Sequence, residues 1–310
     1  MNALIRGVMG ALRSTPVRLG FLALVVVLAV YAVLSQWDDI VVAMAGMSPL
    51  LLLGSLLAGF IYVLMTMLAW RVLLADMGTI LPLTAAFRVF FVSQLGKYLP
   101  GGVWNVLAAA ELGADHDIPR RRSLSVMVVT VIVSIVTGAA LAVAVMPFAS
   151  EQLRNSYGWV TWTLPVFIIL LLPPVLNRLL ALIFRLTGRP ALEHPVSWSG
   201  IGACTAWTLV AWTVAGLQVW LLAIGTGMTA SAGTLALCIG GYAMAWTVGF
   251  LIVFVPAGAG VREGVLGLVL AGSLSTGGAV AVVLLSRAVL TVADLAMGGV
   301  GIFAARRVRI

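Results

Sequence analysis

The stretch "PLLLLGSLLAGFIYVLMTMLAW", residues 49–70, runs 22 residues without a charged side chain. About 20 apolar residues in a helix span the hydrocarbon core of a bilayer. Comparable runs lie at 19–35, 123–147, 158–176, 199–224 and 277–304. A water-facing surface needs far more charge than this chain has, with 9% charged residues, 62% hydrophobic residues and a mean hydropathy of +1.16. A membrane β-barrel would show short alternating segments instead of long continuous runs. The sequence therefore specifies an all-α polytopic membrane protein, with no soluble domain expected at either end.

The formal net charge of +8 does not point to nucleic acid, because the basic residues sit in short tracts beside apolar spans. Arg6, Arg13 and Arg18 precede 19–35, which reads as an uncleaved signal anchor followed by Asp38 and Asp39 outside. Residues 49–70 return to Arg71. Arg120, Arg121 and Arg122 start the outward span 123–147, and 158–176 comes back to Arg178, Arg185 and Arg189. Residues 199–224 go out, and 277–304 end at Arg306, Arg307 and Arg309. This predicts about six full transmembrane helices with both termini cytoplasmic.

Two stretches do not fit that count. Residues 83–112 lie between two cytoplasmic markers and are broken in the middle at "YLPGGVWNVL". Residues 230–274 lie between two external points and are broken at "FVPAGAGVREGVL". Both read as re-entrant helical hairpins, one from each face. The order span, span, hairpin, span then occurs twice, over about 18–147 and 158–305, within a single transmembrane domain of residues 1–310. Three spans per half invert the second copy, the arrangement of transporters whose Gly/Pro-interrupted segments mark the substrate site.

A helix that stops inside a membrane leaves backbone groups to be satisfied by protein, water or ligand. The second half of each hairpin starts after glycines that allow close approach and points a partly positive N-terminus inward, which suits an anion such as phosphate. Lys97, the only lysine in the chain, precedes the first break, and Arg262 follows the second. Pro100, Gly101, Gly102, Asn105, Arg262, Glu263 and Arg287 join Lys97 as candidate substrate contacts; Asn105 either donates to a headgroup or ties the hairpin down. Intramembrane charge is costly, so Glu111, Glu263 and Asp294 are candidate proton carriers. Arg287 and Asp294 are two turns apart on one helix face, too far to pair, and each is expected to meet a hairpin. Arg71 reads as a topology anchor, and Arg88 either snorkels to the surface or faces inward.

Other features have plainer readings. Trp37, Trp159, Trp162 and Trp198 read as interfacial anchors, Gly260 and Gly264 as close-packing glycines, and Cys204 and Cys238 as buried packing residues. His116 and His194 lack a second ligand at metal-binding spacing, so no metal or cofactor is expected. The G-K-[ST] of a nucleotide loop and any catalytic triad or carboxylate pair are missing, so no catalytic residues are assigned and no enzyme activity is expected.

"LGKYLPGGVWNVL" and, much later, "PAGAGVREGVLGLVL…SRAVLTVADLAMGG" resemble the lysylphosphatidylglycerol synthase transmembrane family, also called flippase-like or UPF0104, over roughly 50–305. The matching motif positions are Lys97, Pro100, Gly101, Gly102, Pro256, Gly258, Gly260, Arg262, Glu263 and Arg287. The resemblance implies a polytopic bacterial inner-membrane protein with re-entrant segments that moves an aminoacylated phospholipid, lipid-linked sugar or polyprenyl phosphate between leaflets. Many relatives carry charge in the span after the first motif, where this chain has Thr130 and Ser134. Without an aminoacyl-transferase domain, lysyl transfer is not expected. The sequence reading is thus a flippase-like translocase of a lipid with an anionic headgroup. The alternative is a non-transporting membrane partner of a glycosyltransferase or lipid-modifying enzyme.

Overall fold

The computed structural model describes residues 45–98, 104–145, 158–186, 195–252 and 258–306, with a few isolated positions besides. The run 19–35 and its basic leader, Asp39, Pro100, Gly101, Gly102, Arg189, His194, Pro256, Arg307 and Arg309 lie outside the described residues.

Among the described residues the chain is helical, without strands. Four expected spans are long helices: α1 (Pro49–Asp76), α4 (Arg120–Ala144), α7 (Trp198–Gly225) and α10 (Thr276–Arg306). The first hairpin is α2 (Leu83–Gln94), a 3-10 turn (Leu95–Tyr98) and α3 (Trp104–Ala114). The second is α8 (Ala232–Leu251) and α9 (Val261–Leu270). Between α4 and α7 lie α5 (Leu164–Leu170), led by a 3-10 segment, and α6 (Pro173–Leu186).

Helix starts follow local chemistry. The Ser48 hydroxyl accepts from the Leu50 amide, and Pro49 occupies the first turn, where no backbone donor is needed. Ser231 and Thr234 close a reciprocal capping box at the start of α8. Asp76, at the end of α1, accepts from the Ser197 amide and hydroxyl and so fastens the start of α7 beside it. The spans are apolar around their circumference, as lipid contact on one side and protein on the other require. Buried polar groups tie them together: Gln218 donates to Ser55 on α1 and accepts from Ser286 on α10, and Trp212 donates to Thr137 on α4.

Three expectations need correction. The span expected at 158–176 is two pieces, Gly158–Leu170 and Pro173–Leu182, bent by 81°. Pro173 and Pro174 explain the break, since a residue before proline is pushed out of the helical region and the ring removes a backbone donor. The second hairpin's first arm, α8, is itself 20 residues long and apolar enough to cross a bilayer. By length and composition five helices qualify as spans among the described residues, or six with the bent pair. The expected role of the Gly260–Gly264 spacing also fails: nothing lies within 4 Å of a Cβ placed on Gly264, and Gly260 is a turn residue with φ +81°.

The paired helices pack on each other, α2 against α3 and α8 against α9. α2 lies along α10, and α8 lies along α4. The first hairpin closes backbone to backbone: a Cβ on Gly96 would sit 2.7 Å from the Asn105 nitrogen and 2.8 Å from the Trp104 carbonyl carbon. Neither neighbour can move away without opening the turn. Gly96→Val is expected to destabilise the protein by about 1–3 kcal/mol through overpacking, read as a lower unfolding midpoint in detergent; an unchanged midpoint contradicts this closure.

Candidate functional site

The 3-10 turn places Lys97 and Tyr98 beside the middle of α10. The Asp294 carboxylate there accepts from the Lys97 ammonium at 2.6 Å and from the Tyr98 hydroxyl at 2.7 Å, and its side chain is only 6% exposed. From the second hairpin, Glu263 reaches back to the Gly260 amide at 2.6 Å, capping α9, and its other oxygen lies 3.5 Å from the Arg287 Nε on α10. Arg287 and Asp294, two turns apart on one helix, therefore anchor one hairpin each.

Arg262 is placed differently. Its stem crosses Gly249 and Gly258, and a Cβ on Gly258 would fall 2.9 Å from the Arg262 Cδ. Gly258 also holds a φ of +67°, a region that side-chain-bearing residues rarely adopt. The guanidinium donates to the Tyr242 hydroxyl at 2.7 Å. Among the described residues it has no carboxylate partner. Tyr242 belongs to an aromatic wall: Tyr62 packs edge-on against it at 5.9 Å, and Trp212 meets Trp246 edge-on at 5.2 Å.

These groups line one cavity of about 240 Å³, bounded by α1, α2, α3, α4, α7, α8, α9 and α10. It gathers Lys97, Asn105, Arg262, Glu263 and Arg287 from the expected contacts and Asp294 from the expected carriers. Thr130 and Ser134 line it too, with their hydroxyls donating to carbonyls one turn back on α4. Three cations against two carboxylates leave the lining one positive charge in excess. Glu111 is not there. It is exposed and pairs with Arg120 at 2.7 Å, and that hydrogen bond holds its carboxyl below the usual carboxylate range. Arg71 donates to the Leu81 carbonyl and fastens a loop. Arg88 is also absent from the lining, its backbone passing close to Gly301.

The sequence reading missed the aromatic wall and the Tyr98 contact. Tyrosine composition held a signal, since three of the five tyrosines, Tyr62, Tyr98 and Tyr242, line the cavity. A buried tyrosine brings a hydroxyl that needs a partner, which an apolar span otherwise avoids.

Fold and cavity together define a polytopic helical membrane protein whose broken-helix hairpins converge on a charged internal site. Within that class, the family model for the lysylphosphatidylglycerol synthase TM region matches residues 20–298, and the chain belongs to that family. No curated protein sequence matches it.

Proposed function

We propose that the protein moves a phosphate-bearing lipid between the leaflets of its membrane, holding the headgroup in the cavity while the tails stay in the bilayer. The observation that carries this reading is the excess positive charge in a cavity shared by both hairpins and α10. A cavity of about 240 Å³ leaves room for a headgroup, with the tails in the bilayer. Charge-assisted hydrogen bonds from Lys97 and Arg262 would hold the phosphate. Asp294 engages Lys97 directly, so a proton arriving on Asp294 would release that lysine for the headgroup. We assign any coupling to a proton gradient to Asp294 first and Glu263 second.

The test is leaflet exchange of a short-chain fluorescent phosphatidylglycerol in proteoliposomes, read by quenching with an impermeant reductant. Vesicles containing the protein should lose the protected fraction of signal, and Lys97→Ala should slow that loss about tenfold, the worth of one hydrogen bond to a charged group. Exchange no faster than in protein-free vesicles would overturn transport. Stable copurification with an enzyme in that event would favour a supporting role for the protein.

A further inference from the structure

The lining discriminates beyond phosphate. Both of its carboxylates are engaged: Asp294 accepts from Lys97 and Tyr98, and Glu263 accepts from the Gly260 amide and faces Arg287. Asp294 either holds Lys97 or is protonated as it releases it, so an aminated headgroup would find no free anion among the described residues. The lining already carries one positive charge in excess, with the Arg262 guanidinium beside the Tyr242 ring, so an added ammonium enters a field of like charge.

The neutral part of the lining has the opposite character. Thr66, Thr130, Ser134 and Thr291 all line the cavity and donate their hydroxyl protons to carbonyls of their own helices. Their oxygens remain as acceptors, which a phosphate cannot use and a ligand hydroxyl can. Gln94 and Asn105 add side-chain amides with no hydrogen bond to another described residue. Trp246 and Phe250, stacked on each other in the lining, supply apolar surface for the C–H faces of a polyol.

We infer that the preferred headgroup is a phosphate ester of a neutral polyol, glycerol or a sugar, and that the cavity selects against headgroups with an added amine. This rests on the transport reading and names its substrate class. The cations engage the phosphate, and the amides and hydroxyl oxygens engage the polyol. A headgroup lacking hydroxyls forgoes hydrogen bonds to the Gln94 and Asn105 amides and to those oxygens, each worth about 0.5–1.5 kcal/mol.

The experiment measures apparent affinities of the detergent-solubilised full chain by native mass spectrometry. The probes are phosphatidylglycerol, a prenyl phosphohexose, phosphatidic acid, lysyl-phosphatidylglycerol and a glucosyl-diacylglycerol. Phosphatidylglycerol or the prenyl phosphohexose should bind at least about tenfold tighter than phosphatidic acid, despite the higher charge of the latter, and tighter than the lysyl ester by a similar factor. The better of the two identifies glycerol or sugar as the polyol. Equal binding of phosphatidic acid, or equal or tighter binding of the lysyl ester, overturns this inference and leaves the transport reading standing. If no phosphate-bearing lipid outcompetes the uncharged glucosyl lipid, both fall. Asn105→Leu should reduce the preference over phosphatidic acid to within about threefold. The wild-type comparison stands whether or not that variant folds.

Discussion

Replacing Arg262 by methionine is expected to weaken binding of a phosphate-bearing lipid about 30- to 100-fold and to bring leaflet exchange close to background. Methionine keeps the apolar stem where it crosses Gly249 and Gly258 but removes the guanidinium. Of the three lining cations, Arg262 is the one whose described partner is a neutral tyrosine hydroxyl, so a phosphate does not have to displace a carboxylate to reach it. A hydrogen bond to a charged group contributes about 1.5–3 kcal/mol, and an arginine can offer two at once. Arg262→Lys keeps the charge and loses the fork, so it should fall between, about tenfold weaker than wild type. Tyr242→Phe leaves the guanidinium in place and should stay within a few-fold of wild type. Native mass spectrometry gives the affinities, and thermal unfolding in detergent shows whether each variant is folded. A folded Arg262→Met protein with unchanged lipid affinity would remove the phosphate site from this cavity.

Four spans were legible because lipid asks little of a sequence: an apolar run of the right length is helical wherever it lies. The breaks were legible because Lys97-Pro100-Gly101 and Pro256-Gly258-Gly260 interrupt such runs, but the length of α8, enough to cross a bilayer by itself, was not foreseen. The bend after Leu170 was missed because hydropathy is blind to direction. Pro173 and Pro174 fell at the expected end of a span, where proline is unremarkable, although they turn the chain by 81°. Partner choice was the least legible. Tyr98 and Asp294 are separated by 196 positions, and an apolar sequence carries no register that would match one charge to another. Glu111 shows the same limit from the other side. Counted as an intramembrane charge, it instead meets Arg120 nine residues on, because α3 ends and the chain turns back before α4.

The Lys97–Asp294 pair should show an asymmetry in which losing the lysine hurts stability more than losing the carboxylate. The Asp294 side chain is 6% exposed and the Lys97 side chain 31%. Lys97→Ala strands an anion in a low-dielectric setting, with the Tyr98 hydroxyl as its remaining hydrogen-bond donor among the described contacts. Asp294→Asn leaves a cation that can still reach the cavity. Breaking a fully buried pair costs about 3–5 kcal/mol, and the partial exposure of the lysine lowers that to about 2–3 kcal/mol for Lys97→Ala. Asp294→Asn, which retains an acceptor for Tyr98, should cost about 1 kcal/mol. The double variant Lys97→Ala/Asp294→Asn should then be more stable than Lys97→Ala alone, since the stranded charge is gone. Unfolding midpoints in detergent, taken as a double-mutant cycle, read this directly; a double variant as unstable as the sum of the singles would mean the pair is not coupled. Lipid binding separates the pair's two roles. Stability returns in the double variant, but affinity for a phosphate-bearing lipid should stay as low as in Lys97→Ala, because only the lysine touches the headgroup. Asp294→Asn alone should bind that lipid as well as wild type or a few-fold tighter, since its lysine no longer has to leave a carboxylate to reach the phosphate.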